Sequence, residues 1–213
     1  MNNAISISNE EILRYAKDKV SQNWGMVIVA SILVGLMSLV AGQINLRGVP
    51  LGSLVLTGPI TLGYAIWALN VLRNDEFEIE RILDGFKNFG NSLATYLLMV
   101  LLVILWSLLL IIPGIIKALA YSQALFILAD EPDIAPMEAL RKSEAMMKGN
   151  KTKYFLLGLI FLLLSILCVF TLGIGFFFLL PLIQVTLAKF YQEVRVQFTG
   201  VDDISEIESL GTE

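Results

Sequence analysis

The stretch SLATYLLMVLLVILWSLLLIIPGIIKALAYSQALFILA, Ser92 to Ala129, decides how the chain is read. It runs for 38 residues with a single charge, Lys117, and is interrupted by Pro113-Gly114. One bilayer crossing takes about 20 mostly apolar residues in a helix. The stretch is nearly twice that length, so it reads as two spans turning tightly at Pro113-Gly114. Outward from it lie comparable runs: Trp24 to Gly42 and Leu51 to Leu72 before it, Tyr154 to Leu172 and Ile174 to Phe198 after it. The sequence therefore predicts an all-α polytopic membrane bundle, six transmembrane helices arranged as three hairpins. Residues 1–200 make one transmembrane domain, and residues 201–213 an acidic cytoplasmic tail with five acids and no bases, read as an exposed extension.

Composition agrees. Of 213 residues 56% are hydrophobic and only 16% charged, against roughly 25% charged in a soluble domain. A soluble single-domain enzyme is excluded on these numbers. The chain has no His and one Cys, which removes the commonest general base, a disulfide framework and a cysteine-cluster zinc site. No cofactor or metal is expected.

Charge placement orients the spans. Thirteen of the fifteen bases fall on one side of the six-span arrangement: before the first span, between the second and third, between the fourth and fifth, and at the end of the sixth. Arg47 and Lys117 fall on the other. Bases concentrate on the cytoplasmic side of membrane proteins, so both termini are expected in the cytoplasm. The acids share that side. The outer loops (43–50, Pro113-Gly114 and Thr171-Leu172-Gly173) are short and nearly uncharged, leaving little outward-facing surface. The N-terminus lacks the basic segment of a cleaved signal peptide, and the first span is expected to serve as the insertion signal.

Each hairpin is preceded by a segment that reads as an amphipathic helix. In the first, Ser8 and Glu11 form a capping box, and Ile12, Leu13, Ala16 and Val20 share a face. In the second, about Asp75 to Phe89, Ile79, Ile82, Leu83 and Phe86 follow helical spacing, with Asp75 and Glu78 as a weaker cap. The third runs from Pro136, suited to a first helical turn, to Lys148, with Gly149 as the stop. Leu13, Leu83 and Leu140 align roughly. Pro59, Pro113 and Pro181 fall in the second spans. Pro59 to Arg73 and Pro181 to Arg195 are both 14 residues apart, and Pro113 to Asp130 is 17. This pattern predicts a threefold repeat over 8–73, 75–130 and 135–198. The mixed charge of the amphipathic segments argues against polybasic lipid capture and for helices packed flat under the bundle. Their contact face would comprise Ile79, Ile82, Leu83, Phe86, Met137, Leu140, Ser143 and Met147.

Few polar groups fall within the spans. Lys117, one turn after Pro113, is expected to extend its stem to the outer interface. Gln123 and Gln184, with Ser122, Thr186 and Asn70, are expected to bond between helices. Gly58, Gly63 and Gly114 permit close helix approach. The carboxylates around Asp75 and Asp130 sit at helix starts, where capping accounts for them. Ser143 has no partner base, which favours a small contact residue over a nucleophile. Cys168 reads as an inert buried thiol.

The residues Ile111-Ile112-Pro113-Gly114-Ile115-Ile116, Tyr121, Leu128-Ala129-Asp130-Glu131-Pro132, Glu138-Ala139-Leu140-Arg141, Ser143, Met146-Met147, Gly149, Lys151 and Phe155 resemble a bacterial membrane family, domain of unknown function 975. Trp24, Gly58-Pro59, Gly63, Gly85-Phe86, Gly173, Gly175 and Pro181 fit the same pattern. The resemblance implies a bacterial plasma-membrane protein of unassigned role. The family is more distantly similar to the membrane domain of some glycerophosphodiester phosphodiesterases, whose hydrolase chemistry resides in a separate domain, so no catalytic residue carries over.

Two function classes follow. The favoured one is a non-enzymatic scaffold, assembly partner or modulator of membrane properties, acting through its cytoplasmic helix layer on membrane lipids or a membrane-protein partner. The alternative is a small transporter, exporter or lipid-handling channel whose path includes Lys117, Gln123 and Gln184. Nothing in the sequence points to nucleic acid, and oligomeric state is not legible in it.

Overall fold

The computed structural model describes residues 5–44, 51–74, 77–170, 173 and 175–200. Among them are nine α-helices, one 3₁₀ helix and no strand. The helices are α1 (Asn9–Gln22), α2 (Trp24–Gln43), α3 (Leu51–Asn74), α4 (Phe89–Leu109), α5 (Ile111–Tyr121), α6 (Ala124–Asp130), α7 (Pro136–Met146), α8 (Lys151–Phe170) and α9 (Phe176–Thr199). Asp75, the loops around Arg47 and Thr171-Leu172, and the tail 201–213 lie outside the described residues.

Five helical stretches are long and apolar enough to cross a membrane: Trp24–Gln43, Gly52–Asn74, Phe89–Leu109, Ile111–Asp130 and Lys151–Phe170. The expected sixth span corresponds to α9, which is not among the five. Its first half is apolar, but Lys189, Glu193 and Arg195 fall in its second half.

Local chemistry explains the helix ends. The Ser8 hydroxyl accepts from the Glu11 N–H at 3.1 Å, and the Ser8 N–H donates to Glu11 Oε2 at 2.8 Å, closing the capping box of α1. These bonds to Ser8 hold the Glu11 carboxyl below its ordinary range. A depressed carboxyl supports the fold above its unfolded value near 4.5 and loses that support as pH falls through the folded one. Acidification below pH 4.5 is therefore expected to lower the amide protection factor (exchange rate corrected for its intrinsic pH dependence) at Ser8 before the rest of α1, and Glu11→Gln to abolish that pH dependence.

The turn in the central apolar stretch falls earlier than Pro113. Leu110 is extended (φ −160°, ψ 140°) and separates α4 from α5. Pro113 sits in the first turn of α5, where its missing N–H leaves no helical bond unmade. Gly114 lets α5 pack back against Ser107 of α4. Pro59 and Pro181 lie inside α3 and α9.

The segment expected to form the second amphipathic helix is a 3₁₀ helix, Ile79–Phe86, rather than an α-helix. With three residues per turn, Ile79, Ile82 and Gly85 stack on one edge. Ile82 and Gly85 meet α3 at Pro59 and Gly63 with backbone against backbone. Such an eight-residue 3₁₀ run exceeds the usual length, and the docking supplies what the tight winding lacks. The other two segments also pack inward: α1 on α9, and α7 on α4, α5 and α6.

Trp67, Ile82, Ile127, Met147, Phe190 and Tyr191 anchor the main core, which joins most elements. The outside is as apolar as the core. Leu39 is 65% exposed, Leu108 84% and Phe170 81%, on α2, α4 and α8. Soluble monomers do not expose contiguous apolar surfaces of this extent; hydrocarbon is the solvent that suits them.

Candidate functional site: an apolar cavity with polar points and two charge clusters

The fourth apolar span is broken. α5 ends at Tyr121 and α6 starts at Ala124, which leaves backbone groups at Ser122-Gln123 without helical partners. Ser143 of α7 fills the gap. Its hydroxyl accepts from the Gln123 N–H at 3.1 Å and donates to the Ala120 carbonyl at 2.7 Å. Ser143 and Gln123 are both fully buried. Ser143→Ala is expected to cost about 2 kcal/mol, since it strands buried polar groups, seen as a lowered thermal midpoint in detergent; Ser143→Thr should recover part of it.

Next to the break is a cavity of about 400 Å³ between α3, α4, α5, α6, α8 and α9. Met99, Val103 and Leu187 give it apolar walls; Thr61, Ser122, Tyr154 and Gln184 give it polar points. Ser122 Oγ donates to the Leu119 carbonyl at 2.9 Å and accepts from Gln123 Nε2 at 2.9 Å. Gln123 Oε1 is buried without a partner among the described residues.

Lys117, expected to extend to the outer interface, is engaged by side chains of the fold. Its Nζ pairs with Glu144 Oε1 at 2.7 Å and lies over the rings of Trp106 and Tyr121, 5.2 and 5.5 Å from their centroids. Glu144 comes from α7, which runs beside the α4–α5 pair: Leu140 packs with Leu98, Met99 and Leu102. Helix α7 thus brings an acid to the one lysine of the apolar stretch.

A second cluster gathers at the C-terminal ends of α3, α6 and α9. The Asp130 side chain, 6% exposed, takes two bonds from Arg73, Nη1 to Oδ1 at 2.7 Å and Nη2 to Oδ2 at 3.0 Å. Arg195 Nη1 lies 3.1 Å from Oδ2, and the Tyr191 hydroxyl donates to Oδ2 at 2.7 Å. Phe126 and Tyr191 stack beneath, with centroids 5.5 Å apart. Asp130 read as a capping residue in the sequence; it is instead the centre of a buried ion cluster. The equal 14-residue spacings from Pro59 to Arg73 and from Pro181 to Arg195 were the available signal for the two arginines; Asp130, 17 residues after Pro113, fell outside that spacing.

The expected cytoplasmic contact face is largely internal. Ile82, Leu140, Ser143 and Met147 are buried, and Ile79 and Phe86 half-buried. Only Leu83, 53% exposed, and Met137, 42% exposed, face outward. The intramembrane set fares differently: Gln184 lines the cavity, Gln123 stands behind its wall, and Lys117 is drawn to Glu144. Sequence reading missed Glu144 and Tyr154, which lie far along the chain from the residues they meet.

Helices of this length and apolarity, clad outside in leucine, isoleucine and phenylalanine, define a polytopic α-helical membrane protein. Residues 107–197 match the family described as Protein of unknown function (DUF975), so the resemblance to domain of unknown function 975 holds over that stretch. The match covers both halves of the broken span, α7, α8 and most of α9. No curated protein and no solved structure matches the chain, and the distant likeness to phosphodiesterase membrane domains gains no support.

Proposed function

We propose that the chain is a non-enzymatic, multi-pass protein of a bacterial plasma membrane that handles lipid. In this reading α9 is the sixth span, its charged second half emerging into the cytoplasm. Both termini lie on the cytoplasmic side, as the thirteen bases on that side favour. The observation that carries lipid handling is the cavity: an apolar chamber of about 400 Å³ with four polar points, walled by apolar helices and a broken one. Sites for small ligands are typically concave, mostly apolar and marked by a few polar groups. The contact-face reading has lost ground, because most of that face is used inside the fold.

A scaffold or assembly partner is the second reading. The α4–α5 turn favours it: Leu108, Leu109, Leu110, Ile111 and Ile112 are each 66–84% exposed and would suit a neighbouring membrane helix as well as lipid. Gentle extraction of the tagged chain followed by native mass spectrometry separates the two. A discrete co-purifying lipid supports lipid handling. A stoichiometric protein partner and no lipid supports the scaffold reading and removes the first.

A further inference from the structure

The chemistry of the cavity wall narrows what can occupy it. Among the described residues, no charged side chain lines it. The Ser122 hydroxyl is already engaged as donor and acceptor. The Gln184 amide, half-buried in the wall, makes no hydrogen bond among the described residues. An amide offers two donor hydrogens and a two-lone-pair acceptor, and one that faces an apolar space is costly to leave unpaired. Gln184 therefore presents the complement of a hydroxyl, which both gives and takes a proton. A charged head would have to shed water with no counter-ion in the wall, which is far costlier than burying a hydroxyl.

Volume sets the rest. At about 30 Å³ for each water-sized group, the chamber of about 400 Å³ holds roughly 13 non-hydrogen atoms. That accommodates much of one acyl chain and no second. Ile104, 57% exposed, lies on the rim, as does exposed Ala118, so the mouth opens on the apolar outer surface of the α4–α5 pair, where a lipid would arrive. We propose that this cavity binds an uncharged single-chain amphiphile, its hydroxyl-bearing head on the Gln184 amide and its chain against Met99, Val103 and Leu187. The assignment rests on the lipid-handling reading above and specifies the class of lipid.

The test uses the purified full chain in detergent, a medium-chain monoacylglycerol, and the lysophosphatidylglycerol of the same chain, read by native mass spectrometry. Retention of the monoacylglycerol is expected. Gln184→Leu should weaken it about tenfold, the worth of one hydrogen bond near 1.4 kcal/mol. Ala118→Phe, which fills the mouth, should abolish it, and Gly158→Ala, on open surface, should leave it unchanged. Circular dichroism and the thermal midpoint establish that each variant is folded. Preferential retention of lysophosphatidylglycerol overturns the uncharged class and leaves lipid handling standing. Undiminished monoacylglycerol binding by folded Gln184→Leu and Ala118→Phe overturns this cavity as the site. A folded wild type that retains neither amphiphile overturns both readings.

Discussion

Asp130→Asn is expected to lower stability by about 3 kcal/mol, because removing one partner of a buried ion pair costs about 3–5 kcal/mol. The lower end applies because Arg73 and Arg195 are 22% and 27% exposed and can recover some water. Asparagine keeps an acceptor for one arginine or for Tyr191, but it removes the charge that holds two guanidinium groups together. The effect should be ordered. Arg195→Met should cost least, since Arg73 keeps both its bonds to the carboxylate. Arg73→Met should cost more, since Asp130, at 6% exposure, would then depend on Arg195 and Tyr191 alone. Thermal unfolding of the four proteins in one detergent checks the order. Equal losses for Arg73→Met and Arg195→Met would show that the bidentate pair has no special weight. An unchanged midpoint for Asp130→Asn would show that the cluster does not tie α3, α6 and α9 together.

The sequence made the helical class and five of the spans legible because apolar length is a local property, read within one window. The capping box of α1 was legible for the same reason: Ser8 and Glu11 are three residues apart and meet as expected. What escaped was set by partners distant in the chain. The break after Tyr121 carries no proline or glycine of its own; it exists because Ser143, about twenty residues on, satisfies the exposed backbone. Lys117 looked like a residue bound for the outer interface because no acid lies near it in sequence, and Glu144 is 27 residues away. The 3₁₀ winding of Ile79–Phe86 was hidden because Ile79, Ile82 and Leu83 satisfy an α-helical stripe equally well. Only the backbone contact with Gly63 distinguishes the two windings. The cavity was half legible: Gln184 and Gln123 stood out as polar groups in apolar runs, whereas Tyr154, at a span's edge, did not.

That backbone contact carries the second large effect. A Cβ built on Gly63 would lie far inside van der Waals contact distance of the Ile82 carbonyl oxygen, and one on Gly85 far inside that of the Pro59 carbonyl oxygen. Neither clash can be relieved by turning a side chain, because the obstructing atoms are backbone. Overpacking a close-fitted interior costs about 1–3 kcal/mol and at times more, and a backbone obstacle places Gly63→Ala near 3 kcal/mol. Relief requires the 3₁₀ helix to lift off α3, which would expose Ile82, now fully buried. The loss should therefore come with proteolytic sensitivity between Phe77 and Lys87. Gly158→Ala is the internal control. It lies within α8 with nothing near its side chain, so alanine should be neutral or gain up to about 1 kcal/mol from helix propensity. Gly63→Ala and Gly85→Ala should also fail to add, since both clash at the same seam and are relieved by the same displacement: once either has displaced the 3₁₀ helix, the second methyl meets open space. A double variant as unstable as the sum of the singles would show that the two glycines act at separate contacts, and that the 3₁₀ helix is held to α3 by something other than their shared backbone seam.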